Sequence, residues 1–297
     1  NLLVNDNGHD ALDNAIVAGS LDAVFAIGRT YLPLLSGAHE VAYESGNRAI
    51  AHALIEAGYP MPTSIAIKQD DMEAFELLAE HSPETLNRST PAGISPYMMA
   101  LSANKPEMAQ RLLELGASPM GLDLLEYTPY IMAVNARADK SVRFLVQRGL
   151  ANVDERSTNH LDGTALHIVA GEGDTAFVGV LLELGAQVQA ENRLGQTPLH
   201  LAVANGHADT VARLVNAGAG LNAKDDESLT PMHYAARAGD EASAGILLEA
   251  GADIHARNRV RRTPLHTAID AAQLPMVRFL IEQGADPERK AVDGQTP

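Results

Sequence analysis

Four of the eleven histidines recur at one fixed interval: His167, His200, His233 and His266. Histidine serves as metal ligand and general base, so such a series first raises metal binding or acid–base catalysis. Neither chemistry finds its remaining parts. There is no His-Glu-x-x-His, no Gly-x-Ser-x-Gly and no Gly-x-x-x-x-Gly-Lys phosphate loop. Cysteine is absent, which removes disulfides, thiol nucleophiles and thiolate zinc sites together. Asp6-Asn7-Gly8-His9-Asp10 resembles part of a calcium loop, but with Gly8 at the turning position the first ligand would be Leu3, and the match fails. Asp70-Asp71 reads as a helix N-terminus, favoured by the dipole. No catalytic residue, metal site or cofactor is expected, and the four histidines read as structural ties between turns.

A second group with chemical potential is basic. Arg257, Arg259, Arg261 and Arg262 crowd into residues 256–262 of a chain whose formal net charge is -16. Residues 1–120 carry 6 basic and 15 acidic side chains, whereas residues 251–297 carry 7 and 6. So acidic a chain repels phosphate backbones, and nucleic acid is not an expected partner. No apolar run approaches the roughly 18 residues needed to cross a bilayer. With 46% hydrophobic residues over 297 positions, the chain can bury a core; with no Trp and 4% aromatics, that core is aliphatic and alanine-rich. Arg outnumbers Lys and Ala is abundant, a composition that fits a high-GC bacterial gene. A cysteine-free chain is tolerated in cytoplasm, periplasm and secreted space alike; the cytoplasm is the first expectation.

The elements that must position these residues follow from a repeat. Thr263-Pro264-Leu265-His266 is preceded, at equal steps, by Thr230-Pro231-Met232-His233, Thr197-Pro198-Leu199-His200 and Thr164-Ala165-Leu166-His167. Thr128-Pro129-Tyr130 and Ser95-Pro96-Tyr97 continue the series upstream, the first of them after a slightly longer step, and Thr296-Pro297 continues it downstream. A fixed period of this kind means a stacked array of supersecondary units. In residues 195–227, Thr197 caps and Pro198 occupies the first turn of one helix, with Leu199, Ala202 and Val203 at helical spacing before Gly206. Val211, Leu214 and Val215 mark a second helix that Gly218 stops. Helices of about ten residues do not persist alone, so each finds its partners in neighbouring units.

The Gly-x-Thr-Pro-Leu-His-x-Ala run at 195–202, with Leu-Val-x-Ala-Gly-Ala at 214–219 and its counterparts at 247–253 and 280–286, resembles ankyrin repeats. The match is specific over 162–297, good over 93–161 and loose over 1–92, where the spacing between second-helix signals shrinks. The expected fold is an all-α repeat solenoid of about nine repeats with short finger hairpins. Residues 1–92 hold three degenerate or shortened repeats, the first acting as a cap, and residues 93–297 hold the regular ones. The chain breaks off inside a tenth repeat, and the natural protein is expected to continue past Pro297. Two departures stand out. Met98 and Ile131 take the histidine position, which weakens the ties there, and three extra residues between Val153 and Thr164 lengthen one finger.

The resemblance implies a concave face, lined by fingers and first helices, that holds a partner protein. Aligning the units places Tyr127, Arg193, Leu194, Asp226, Glu227, Leu229 and the four finger arginines, Arg257, Arg259, Arg261 and Arg262, on that face. Asn135, Asn205, Arg237 and Asp270 occupy the matching exposed positions of the first helices. Tyr97 and Tyr130 read as core. Asp226 falls beside Arg259, so the arginines either form a charge ladder with the preceding finger or meet an acidic patch on a partner; both readings stand. The expected protein is a non-catalytic, monomeric binder that recruits, masks or inhibits a protein. Narrower alternatives are an immunity or antitoxin-type inhibitor of a cognate toxin or enzyme, and the ankyrin segment of a larger secreted effector or enzyme that grips a host protein.

Overall fold

The computed structural model describes residues 11–30, 37–157 and 160–297; the acidic stretch at 6–10 lies outside the described residues. The chain forms two compact units, Asn1–Phe144 and Leu145–Pro297. In the first, helices pair in sequence: α1 (Ala11–Val17) with α2 (Leu21–Thr30), α3 (Ala38–Glu44) with α4 (Arg48–Glu56), and α5 (Thr63–Gln69) with α6 (Met72–His81). After a 3-10 turn at Pro83–Asn87 come α7 (Pro96–Ser102) with α8 (Pro106–Glu114), then α9 (Pro129–Asn135) with α10 (Asp139–Gln147), which crosses the boundary.

In the second unit a hairpin of β1 (Arg156–Ser157) and β2 (Gly163–Thr164) precedes α11 (Ala165–Glu172) and α12 (Thr175–Glu183). There follow α13 (Pro198–Ala204) and α14 (Ala208–Asn216), α15 (Pro231–Ala238) and α16 (Glu241–Glu249), and α17 (Pro264–Asp270) and α18 (Leu274–Glu282). Nine helix pairs among the described residues make the all-α repeat solenoid that the period implies. Only the short link 57–62 joins α4 to α5, so the reduced spacing there leaves no finger.

Local chemistry sets the helix ends. Thr197 is the N-cap of α13 in extended conformation, Pro198 follows in the first turn, and Gly206, at φ 74°, lies just past the end. The apolar stripe of α13 (Leu199, Ala202, Val203) and that of α14 (Val211, Leu214) are fully buried. First helices α11, α13, α15 and α17 pack in succession, as do second helices α12, α14 and α16. Tyr97 and Tyr130 are buried at 1% exposure, as core residues. Asp71 caps α6 by accepting the Ala74 N–H at 3.0 Å, while Asp70 ends α5 at φ 55°. The Tyr43 hydroxyl at 3.0 Å and His52 Nε2 at 2.9 Å reach the other Asp71 oxygen. Burial raises that carboxyl, but these three hydrogen bonds together outweigh it and hold the group below the usual range.

The four periodic histidines do one job. In each case a Thr–His capping box opens the first helix, and the ring Nδ1 accepts the Thr backbone N–H: 3.1 Å at His167, 3.0 Å at His200, 3.2 Å at His233 and 3.1 Å at His266. An accepting Nδ1 requires the proton on Nε2, which donates to the carbonyl immediately before the next repeat's Thr position. The acceptors are Gln196 at 2.9 Å, Leu229 at 3.2 Å, Arg262 at 3.0 Å and Gln295 at 3.4 Å. Met98 and Ile131, both buried, keep only half of this motif: their backbone N–H groups reach Ser95 Oγ and Thr128 Oγ1 at 3.2 Å.

Burial holds His167 and His233 down to about 4 from an ordinary 6.5, against the opposing pull of the Gln196 and Arg262 carbonyls, and it lowers His200 in the same way. A folded-state value below the unfolded one means that the unfolded chain takes up protons first as pH falls. The stabilisation is therefore whole above about 6.5 and is lost between about 6.5 and about 4. His233→Met should cost about 1–3 kcal/mol at pH 7 by orphaning the buried Thr230 N–H and removing the cross-repeat bond to the Arg262 carbonyl, which keeps only the Asn258 N–H. Urea unfolding at pH 7 and pH 5 should also show a shallower acid loss in this variant than in the parent. An unchanged pH slope would contradict the assignment.

Candidate protein-binding surface

Four of the finger tips each turn on one short polar side chain. Asp123, Asn192, Asp225 and Asn258 each accept, through one side-chain oxygen, the backbone N–H groups two and four residues ahead at 2.8–3.1 Å. Their own N–H groups donate across the turn to the carbonyls of Tyr127, Gln196, Leu229 and Arg262. The following residue then reaches back to the preceding finger. Within the second unit, Arg193 donates to Leu161 at 2.8 Å, Asp226 to Leu194 at 3.0 Å, Arg259 to Glu227 at 3.1 Å and Val292 to Val260 at 3.1 Å. The longer finger keeps its rung: Leu161 and Asp162 absorb the extra length in left-handed conformation, at φ 52° and 60°. Arg156 bridges the Asp162 and Glu191 carbonyls at 2.7 and 2.9 Å. With the backbone satisfied, exposed Arg193, Leu194, Asp226, Glu227, Arg259 and Val260 project from fixed points.

The arginines divide into distinct environments. Arg259 does lie beside Asp226, but its guanidinium donates to the Asp226 backbone carbonyl. Arg262 is held by Asp270 and lies 3.6 Å from Asp293. Arg261 is exposed, and Arg257 carries a buried Nε without a hydrogen-bond partner. Arg193 sits 4.0 Å from Asp162. Leu229 is not a surface residue: at 4% exposure it is buried where the finger runs into Thr230, its N–H and carbonyl both bonded. Asn205 is exposed, but its amide donates to the Gly171 carbonyl at 2.6 Å. Tyr127 is half-buried and Asn135 exposed; both belong to the first unit.

The contact that sequence reasoning missed is centred on Tyr234. Its hydroxyl receives the Gln196 amide at 2.7 Å and donates to Asp225 Oδ2 at 2.7 Å. The ring meets His200 edge-on at 5.3 Å, and Arg237 stacks over it at 5.6 Å. Burial first, and then the Asp225 hydrogen bond, push the phenol up to about 12, so it stays a donor at neutral pH. The signal was a single aromatic at a position where the neighbouring repeats carry Ile168, Leu201 and Thr267. Beside this network an open groove of about 440 Å³ is lined by Arg237, Asn258, Val260, Arg262, Thr267 and Asp270.

Arg261 adopts φ 62° at the position where Gly195 adopts 70°. At Gly195 a Cβ would meet the Asp226 N at 2.9 Å, so that glycine is also required by the next finger. A left-handed non-glycine residue costs about 1–2 kcal/mol, and glycine returns about 0.5–1 kcal/mol of that as chain entropy in the unfolded state. Arg261→Gly should therefore stabilise the protein by about 0.5–1 kcal/mol, read as a rise in the urea midpoint. A fall would mean that the arginine side chain is itself a structural tie.

The ankyrin repeats (3 copies) family model matches residues 131–225, 166–258 and 209–291, together more than half of the chain. A stretch of 100 residues is 34% identical to the NF-kappa-B inhibitor alpha of Sus scrofa, covering 33% of this chain and 32% of that protein. A stretch of 97 residues is 32% identical to the B-cell lymphoma 3 protein homolog of Mus musculus, covering 32% of this chain and 22% of that protein. The matched stretch spans about a third or less of the length of these curated relatives. With its even period, Thr–His capping boxes, hydrogen-bonded fingers and this family match, the chain belongs to the ankyrin-repeat proteins.

Proposed function

We propose that this protein is a non-catalytic, monomeric binder that holds one partner protein against the finger tips and first helices of residues 145–297, recruiting, masking or inhibiting it. Ankyrin repeats are protein-interaction modules, and one of the relatives is by name an inhibitor. The observation that carries the reading is the finger at 256–262. There Arg259, Val260 and Arg261 stand exposed on a backbone that is hydrogen-bonded within itself and to its neighbours, next to the Arg237–Tyr234 stack. A rigid support lowers the ordering cost of binding, and exposed Arg beside an apolar side chain is hot-spot composition. An acidic patch on the partner is the complementary surface, because the guanidinium fork pairs with carboxylates two bonds at a time.

Arg193, Leu194, Asp226, Glu227, Arg237 and Asp270 extend the candidate surface. Tyr127 and Asn135 are its counterparts on the first unit. In the same reading, residues 1–92 act as a shortened, capping set of repeats and residues 93–297 as the regular array.

The test is affinity capture from cell lysate with the parent chain and an Arg259→Glu/Arg261→Glu variant, chosen because Arg262 is already engaged by Asp270. A partner held by the parent and retained at least tenfold less, a loss of about 1.4 kcal/mol or more, by a variant of unchanged helix content is the expected result. Equal retention by both would remove the basic finger from the interface.

A further inference from the structure

A second basic concavity lies beside the fingers of the last repeats. An open groove of about 630 Å³ is lined by Asn222, Lys224, Asp253, His255, Arg257 and Arg289. Lys224 and Arg257 occupy the same position in successive repeats, and Arg289 enters from the repeat after that. Three cations thus converge in a chain whose formal net charge is -16. Two acids lie close to them, Asp253 in the groove lining and Asp286 paired with Arg289, which leaves Lys224 and Arg257 as the uncompensated pair. Asp253 Oδ1 accepts the His255 N–H at 2.9 Å, and Asp286 Oδ2 lies 3.6 Å from Arg289 Nε.

Arg257 Nε is buried and has no hydrogen-bond partner, and no acid among the described residues pairs with the guanidinium. The side chain is thus held at the groove with its charge uncompensated by the protein.

We propose that this groove binds a tetrahedral oxyanion of the phosphate class. A carboxylate satisfies one guanidinium edge, whereas a phosphate monoester brings three acceptor oxygens and nearly two negative charges, enough to meet Lys224, Arg257 and Arg289 from separate directions. The outer N–H groups of the Arg257 guanidinium supply directed donors and Lys224 an adaptable point charge, the combination that phosphate sites use. The groove needs no protein partner to do this, so the inference stands or falls apart from the reading of Arg259 and Arg261. The same oxyanion could arrive as the free ion or as a phosphoserine side chain.

The experiment is a calorimetric titration of the whole chain with inorganic phosphate at constant ionic strength, with chloride as control. Saturable binding to phosphate, absent with chloride and weakened at least fivefold by Arg257→Gln and by Lys224→Gln, is the expected result. The Lys224 side chain is exposed, so its variant stays informative should Arg257→Gln unfold. A short phosphoserine peptide and its unphosphorylated form distinguish the sources. Tighter binding of the phosphorylated peptide than of free phosphate supports a site for a modified protein. Binding equal to free phosphate supports an ion site. Non-saturable heats, or phosphate binding unchanged in both variants, would overturn the proposal.

Discussion

A neutral imidazole, used at both nitrogens, is the contact on which the second unit depends. Each first helix begins at a threonine whose N–H would otherwise be orphaned, and each finger ends in a carbonyl that faces protein rather than water. His167, His200 and His233 join these two groups across one repeat boundary after another, and His266 repeats the motif toward Gln295 at a longer distance. The rings are buried at 4% exposure or less, so no solvent molecule can take over either bond. Two hydrogen bonds of about 0.5–1.5 kcal/mol each are modest in isolation. Their weight lies in the damage done by losing them: a buried Thr N–H is orphaned, and the carbonyl of the next finger keeps only the bond within its own turn. Burial commits His167, His200 and His233 to remaining uncharged at neutral pH, which sets acid as the condition that loosens the array.

That tie adds to finger order without being required for it. The Asx side chain four residues before the tied carbonyl gathers the turn's N–H groups and the next N–H reaches the neighbouring finger, and the Asp123 finger does the same although Met98 replaces the histidine. The result is a backbone ladder that is indifferent to side-chain identity at the tips. Arg193, Asp226 and Val292 make equivalent rungs with unlike side chains. Such a scaffold lets surface letters change without disturbing the fold, which is the physical reason that function in repeat proteins resides in their variable positions. Where the histidine is missing, at Met98 and Ile131, the cap serine or threonine remains and apolar packing around Tyr97 and Tyr130 carries the rest.

Much of this was legible in the chain itself. The even period, the Thr–Pro starts and the glycine stops are local signals, written close to the bonds they describe, and the helices end where those signals place them. The lengthened finger before Thr164 was also visible by counting. Contacts between fingers were less legible. Asp226 could be aligned with Arg259, but only the folded backbone shows that the arginine takes the carbonyl and not the carboxylate. The capture of Arg262 by Asp270 joins a finger to a helix, a geometry that repeat alignment does not encode. Leu229 looked like a tip residue because it sits two places after Glu227, yet the chain has already turned inward there. Tyr234 was passed over because its partners, Gln196 and Asp225, lie on two different fingers.

The most direct test of the account is a long-range proton–nitrogen NMR titration of the histidine rings. His167 and His233 should show a protonated Nε2 and an unprotonated Nδ1 at neutral pH, and both rings should stay neutral until pH approaches about 4. Titration of these rings near 6.5, or a proton on Nδ1 at neutral pH, would contradict it.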